Sequence, residues 1–292
     1  MDENRIAIDN HVFIKPDYLN HKHVSGNKKR KLKYNLLEAK ILQKNTLLTF
    51  GGAFSNHIAA VAYTGYEHGF KTIGIIRGEE LHHSKQLNAT LSFAKQCGMQ
   101  FKFVSRALYK NKMTTEFVNQ LEDEFGDFYL IPEGGTNPLA VKGCEEILDD
   151  IDKTFDYICC PVGTGGTISG LINSSAQHQK IIGFPALKGD FLSKEITKFA
   201  TKTNWELVSK YHFGGYAKVN KDLIQFINQF KATHNVPLDP IYTGKMMYGI
   251  YDLISKGYFK KDSKILAIHT GGLQGIEGMN VKLKQQNKPL IV

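Results

Sequence analysis

The stretch Phe155-Asp-Tyr-Ile-Cys-Cys-Pro-Val162, followed at once by Gly163-Thr-Gly-Gly-Thr-Ile-Ser-Gly170, decides the fold. Its first half is a short apolar run of the kind that forms a strand buried on both faces. Its second half passes through glycines into a helix expected from Gly166 to Gln177. That turn points free backbone N–H groups and the positive helix end at one spot, which suits a phosphate. Thr164 and Thr167 add hydroxyl donors. The dinucleotide pattern G-x-G-x-x-G fails, because Ile168 stands three positions after Gly165, and the P-loop fails, because Leu171 follows Gly170. A tight strand–helix turn with no ligand is the competing reading.

Outward from this unit, apolar runs alternate with helical patterns. Strands are predicted at Thr46 to Phe50, Lys71 to Arg77, Gln100 to Val104, Asp127 to Ile131, Lys180 to Phe184 and Lys264 to His269. Helices are predicted at Asn56 to Gly69, Gln86 to Cys97, Thr114 to Phe125, Asp222 to Thr233 and Lys245 to Lys256. This alternation means parallel α/β architecture, and 292 residues suffice for two closely packed domains.

Composition excludes other classes. With 42% hydrophobic and 22% charged residues the chain is globular, not disordered. No apolar run is long enough to span a membrane, and Met1 to Asn10 lacks the apolar core of a secretory signal. Cys97, Cys144, Cys159 and Cys160 are read as buried thiols of a reducing cytoplasm. Cys159 and Cys160 should face opposite sides of their strand. No C-x-x-C pair exists and His82-His83 lacks partners at zinc spacing, so no metal site is expected. The net charge of +9 comes almost entirely from lysine, which fits a solvated surface better than a nucleic-acid reader.

Two segments carry candidate chemistry. Ser25-Gly26-Asn27-Lys28-Lys29-Arg30-Lys31-Leu32-Lys33-Tyr34 is the most basic run. It reads as a nucleic-acid or localisation patch, as the wet face of a helix bearing Leu32, Leu36, Leu37 and Ala39 on its other side, or as a reactive lysine whose amine is freed by neighbouring cations. Composition alone favours the wet face. Thr49-Phe-Gly-Gly-Ala-Phe-Ser-Asn-His57 lies between a strand and a helix. Ser55 or Asn56 suits an N-cap, which leaves the run of hydroxyl, amide and imidazole unexplained. No acidic partner marks a hydrolase triad, and G-x-S-x-G is absent.

Six motifs follow one another: Gly26-Asn27-Lys28-x-Arg30-Lys31-Leu32, Gly51-Gly52-x-x-Ser55-Asn56-His57, Pro132-Glu-Gly-Gly135, Gly163-Thr-Gly-Gly-Thr167, Asp239-Pro-x-Tyr242-Thr243-Gly244-Lys245 and His269-Thr-Gly-Gly272. Together they resemble the 1-aminocyclopropane-1-carboxylate deaminase and D-cysteine desulfhydrase family, from about Ser25 to Gly272. The resemblance implies pyridoxal 5'-phosphate as cofactor and the tryptophan synthase β-like fold (fold type II), with two open parallel-sheet domains. These would be a large domain of residues 1–39 plus 143–292 and a small one of 40–142, with the cofactor between them.

By the same resemblance Lys28 is the Schiff-base lysine, Asn56 holds the cofactor's phenolic oxygen, and Gly163, Thr164, Gly165, Gly166 and Thr167 cradle its phosphate. Ser55, Asn56 and His57 would receive the substrate, with Ser55 at its carboxylate or acting as nucleophile. Tyr242 and Tyr216 would stand beside the reacting atoms; plain core packing is the alternative for both. Thr243 occupies the position where the deaminases resemble one another in carrying a glutamate that faces the pyridine nitrogen. A hydroxyl there implies a weaker electron sink, sufficient for β-elimination from D-cysteine and less suited to opening a cyclopropane ring. The expectation is therefore a D-cysteine desulfhydrase-like lyase, with the deaminase as runner-up. A dehydratase of the same fold and a non-enzymatic cofactor- or nucleic-acid-binding protein are the rivals. A small amino-acid substrate, a cytoplasmic homodimer, and no nucleic-acid or membrane partner complete the expectations.

Overall fold

A computed structural model describes residues 5–82 and 86–292. The chain opens with β1 (Ile6–Ala7), β2 (Val12–Lys15) and α1 (Asn27–Ile41). Next come β3 (Thr46–Gly52), α2 (Asn56–His68), β4 (Lys71–Arg77), α3 (Ala89–Gln96), β5 (Gln100–Val104), α4 (Arg106–Lys110), α5 (Thr115–Phe125) and β6 (Tyr129–Ile131). After α6 (Pro138–Glu145) follow β7 (Tyr157–Val162), α7 (Gly166–Ser174), β8 (Lys180–Pro185), α8 (Phe191–Thr197) and β9 (Trp205–Leu207). Helices α9 (Lys221–His234) and α10 (Thr243–Ser255), strand β10 (Ile265–Ile268) and α11 (Gly275–Gln285) complete it.

The strands form two sheets, one ordered β1-β2-β10-β7-β8-β9 and the other β5-β4-β3-β6. Every pairing is parallel except β1 with β2. Parallel strands need cover on both faces, and β7 shows why its sequence is apolar throughout: all six residues are buried. Cys159 packs with Ile182 and Met246 on one side of the sheet, while Cys160 packs with Cys144 and Ile168 on the other. All four cysteines are free thiols.

The six-stranded sheet is built from residues 6–15 and 157–268, and the four-stranded sheet from 46–131. Helix α1 binds the two together. Leu32, Leu36 and Ala39 sink among Leu47, Ile58 and Val61 of the four-stranded side. Leu37, grouped with them in the sequence reading, is instead 49% exposed, because one residue past Leu36 turns about 100° away from the buried stripe. Helix α3 starts later than expected because the Asn88 side chain accepts from Leu91 N at 3.0 Å and caps it there. Helix α7 stops at Ser174, where Ser175 turns extended. In doubly wound sheets ligands bind beyond the carboxyl ends of the strands. The end of β3 and the loops leaving β6, β7 and β10 carry residues of the motifs above.

Candidate active site

Lys28 is fixed by a close approach of backbone. Gly26 has φ +64, and a Cβ there would lie 2.0 Å from Thr270 O. Only glycine lets the start of α1 lie against the loop leaving β10, where Asn27 N donates to Thr270 O at 3.3 Å. The Lys28 amine donates to Asn27 Oδ1 at 3.1 Å. Desolvation, with the Lys31 cation adding to it, lowers this amine to about 7. A large fraction is therefore the free base at neutral pH, the form that attacks an aldehyde.

The glycine corner lies one side-chain length away. Asn27 Nδ2 donates to Thr167 Oγ1 at 2.8 Å. Lys31, one helical turn beyond Lys28 and 2% exposed, donates to Gly134 O and Thr136 Oγ1, each at 3.0 Å, and reaches Thr164 Oγ1 at 3.5 Å. These acceptors are all neutral, so a buried cation faces the start of α7 with no carboxylate among the described residues paired to it. Burial accordingly lowers its pKa. A Cβ on Gly166 would come within 2.9 Å of Thr136 Oγ1 and 3.2 Å of Lys31 Nζ. The corner thus has a shape that any larger residue would fill and a charge that calls for an anion.

On the opposite wall Ser55 caps α2, its Oγ accepting from His57 N at 3.2 Å and Ile58 N at 3.3 Å. Its acceptor positions are thereby occupied and its hydroxyl proton remains to be donated. His57 is buried, and the single hydroxyl proton of Thr49 goes to Ile131 O at 2.8 Å. Thr49 therefore accepts from His57 Nε2–H, also at 2.8 Å. That leaves Nδ1 bare, and it finds no partner among the described residues; nor does Asn56 Oδ1. Burial and the Lys28 and Lys31 cations push His57 well below the usual imidazole range, so it is neutral.

The third wall is the turn into α10. A Cβ on Gly163 would lie 3.2 Å from Tyr242 Cε1, so this ring lies against the glycine corner. The Tyr216 and Tyr242 rings are 6.4 Å apart at 65°. Burial raises both phenols, Tyr242 strongly, and both are neutral donors. The buried Asp239 carboxylate accepts from Ile241 N and Tyr242 N at 2.9 Å and from Thr243 N and Thr243 Oγ1 at 2.7 Å. Thr243, expected at the cofactor's pyridine nitrogen, thus gives its only hydroxyl proton to Asp239 and can offer a ligand nothing but a lone pair. Lys245, 1% exposed, donates to His212 O at 2.9 Å and Gly215 O at 2.8 Å, the loop that carries Tyr216.

Asn56 and His57, with their unpaired acceptors, the lowered Lys28 amine and the cationic corner fit pyridoxal phosphate. Over residues 3–271 the chain matches the family model described as "Pyridoxal-phosphate dependent enzyme". The chain belongs to this family. It is 30% identical over 288 residues to a putative 1-aminocyclopropane-1-carboxylate deaminase of Pyrococcus abyssi, covering 91% of this chain and 85% of that protein. It is also 30% identical over 292 residues to the mitochondrial bifunctional D-cysteine desulfhydrase/1-aminocyclopropane-1-carboxylate deaminase of Arabidopsis thaliana, covering 91% and 73%. A solved structure titled as that of an "ACC deaminase homologue" superposes with a TM-score of 0.83 at 28% identity, over 94% of this chain and 88% of that one. The enzyme is therefore a pyridoxal-phosphate-dependent lyase of the deaminase and desulfhydrase group, with the fold type II architecture.

Among the described residues no group of three or more His, Cys, Asp or Glu is arranged to hold a metal ion; His83 lies outside them. No helix of the described chain is long and apolar enough to cross a membrane. Sequence reading missed Lys31, Asp239 and Lys245 as site residues. Lys31 stands in the first of the six motifs, at i, i+3 from Lys28, and Asp239 and Lys245 stand in the fifth, yet the motifs give none of the three a role.

Proposed function

We propose that the enzyme eliminates sulfide from D-cysteine, yielding pyruvate, sulfide and ammonia. The observation that carries this reading is the state of Asp239 and Thr243. The one carboxylate in the turn into α10 already holds four donors, and the neighbouring side chain is a hydroxyl. Neither supplies the free carboxylate that would keep a pyridine nitrogen protonated.

When bound, pyridoxal phosphate supplies an electron sink for the pair released at Cα. Lys28, Lys31, Asn27 and the Gly163–Thr167 turn would hold it. The Lys28 amine, free base above about 7, accepts the Cα proton. Ser55 donates its hydroxyl proton to the substrate carboxylate beside the positive end of α2. Tyr242 and Tyr216, kept neutral by burial, donate toward the leaving sulfur. The Cα–H and Cβ–S bonds break, sulfide leaves with its electron pair, and one water converts the remaining three-carbon fragment to pyruvate and ammonia.

The names of the relatives favour a second reading, deamination of 1-aminocyclopropane-1-carboxylate. That route asks for a nucleophile or base at the ring, and the acceptor positions of Ser55 Oγ are occupied by the cap. Incubating the purified enzyme with each substrate tests the choice. Sulfide and pyruvate from D-cysteine support elimination; 2-oxobutanoate from the cyclopropane amino acid, without sulfide from D-cysteine, supports the second reading.

A further inference from the structure

Arg77 ends β4 in register with Gly52, the last residue of β3. A Cβ on Gly52 would lie 3.5 Å from Arg77 Nη2, so the guanidinium overhangs the glycine turn that leads into Ser55. Its Cζ lies 5.5 Å from the ring centroid of the buried Tyr109, and the side chain is otherwise exposed. No carboxylate among the described residues forms an ion pair with it. Glu80 pairs with Arg106 at 2.7 Å and Glu133 with Lys112 at 3.2 Å. From across the cleft the Arg77 charge bears on the Tyr216 phenol, favouring its ionised form against the larger effect of burial. An Arg left without an anion at the carboxyl end of a strand, facing the wall that carries the reacting groups, is a ready seat for one.

We propose that Arg77 is a specificity-determining residue that binds an anionic group at the far end of the substrate's β-substituent. The substrate class then extends beyond D-cysteine to D-amino acids with a negatively charged leaving group on Cβ. This deepens the lyase reading above and rests on it. The α-carboxylate has its own seat at the N-terminus of α2, beside the Ser55 proton. Arg77 stands one strand farther out, about 4.8 Å in a parallel sheet, which matches a group displaced beyond Cβ. With O-sulfo-D-serine the Cα proton is removed, the Cβ–O bond breaks, sulfate leaves with the electron pair, and one water yields pyruvate and ammonia. No further reactant is needed.

The test compares holoenzyme and its Arg77→Gln variant on O-sulfo-D-serine and the uncharged O-acetyl-D-serine, read as pyruvate. The expected wild-type kcat/KM favours the sulfate ester at least tenfold, and Arg77→Gln lowers that ratio at least tenfold. A ratio that stays the same, whether both rates fall together or neither falls, overturns the proposal. Binding of D-aspartate against D-alanine, followed by the cofactor's absorbance change, provides a readout that needs no elimination. If neither ester is turned over while D-cysteine still yields sulfide and pyruvate, the lyase reading stands and the role of Arg77 in the leaving group is overturned. If D-cysteine fails as well, the lyase reading fails, and an unaltered D-aspartate/D-alanine affinity ratio in Arg77→Gln still separately overturns the role of Arg77.

Discussion

The Asn27 side-chain amide donates to the Thr167 hydroxyl at 2.8 Å across a sequence separation of 140 residues. The residue preceding Lys28 is thereby tied to the glycine corner proposed to take the cofactor's phosphate. Amine and anion seat are held at a set distance by one hydrogen bond and by the contact of Gly26 with Thr270. A hydrogen bond of this kind contributes about 1 kcal/mol net. Asn27→Ala is expected to weaken pyridoxal phosphate binding roughly fivefold, on the order of that energy, measured by titrating the apoprotein.

Lys31 supplies the unbalanced charge at the corner. Lys31→Met removes a charged hydrogen bond worth about 1.5–3 kcal/mol. It should lower affinity for pyridoxal phosphate by an order of magnitude or more, and leave affinity for pyridoxal, which lacks the phosphate, nearly the same. The Lys31 cation also helps to hold the Lys28 amine down at about 7. In wild type, cofactor capture should rise with pH through about 7, as ammonium gives way to free amine. In Lys31→Met the same rise should move to higher pH. A stopped-flow pH series of cofactor loading checks both.

Ser55 caps α2 and is proposed to donate to the substrate carboxylate, and the two roles separate experimentally. Loss of its cap on α2 costs about 1 kcal/mol, or roughly 2–4 °C in Tm at this size. Loss of the carboxylate donor should raise KM. Ser55→Asp keeps the cap and replaces the donor by a like charge. It should therefore restore Tm relative to Ser55→Ala and raise KM further.

Lys245 presents Tyr216 by holding His212 O and Gly215 O. Lys245→Met should lower kcat and spare cofactor affinity. If Lys245 acts through Tyr216, the double variant with Tyr216→Phe should be no slower than the slower single variant. Additive losses would assign Lys245 to the scaffold alone.

Much of this was legible in the sequence for physical reasons. The buried strand Tyr157–Val162 and its glycine turn admit few alternatives, and the six ordered motifs pointed to the family whose model matches residues 3–271. Composition misread the lysine run, because charge alone does not say which side of a helix faces a cleft. Lys29 and Lys33 are exposed as expected, yet Lys31 is buried. Strand β2 escaped notice because Val12–Lys15 is only four residues long and pairs with β10, some 250 positions away. The role of Asp239 depends on the turn that brings three backbone amides to its carboxylate, and Arg77 depends on the register of β3 and β4. Asp239 stands in one of the six motifs, but its contacts, like the place of Arg77, follow only from the folded chain.

The proposed chemistry requires a bond between Lys28 and the cofactor. Borohydride reduction of the holoenzyme, followed by peptide mass mapping, should place the reduced pyridoxyl group on Lys28, and Lys28→Ala should lose the cofactor's visible absorbance. A label found on Lys31 or Lys245 instead, with Lys28→Ala still coloured, would contradict it.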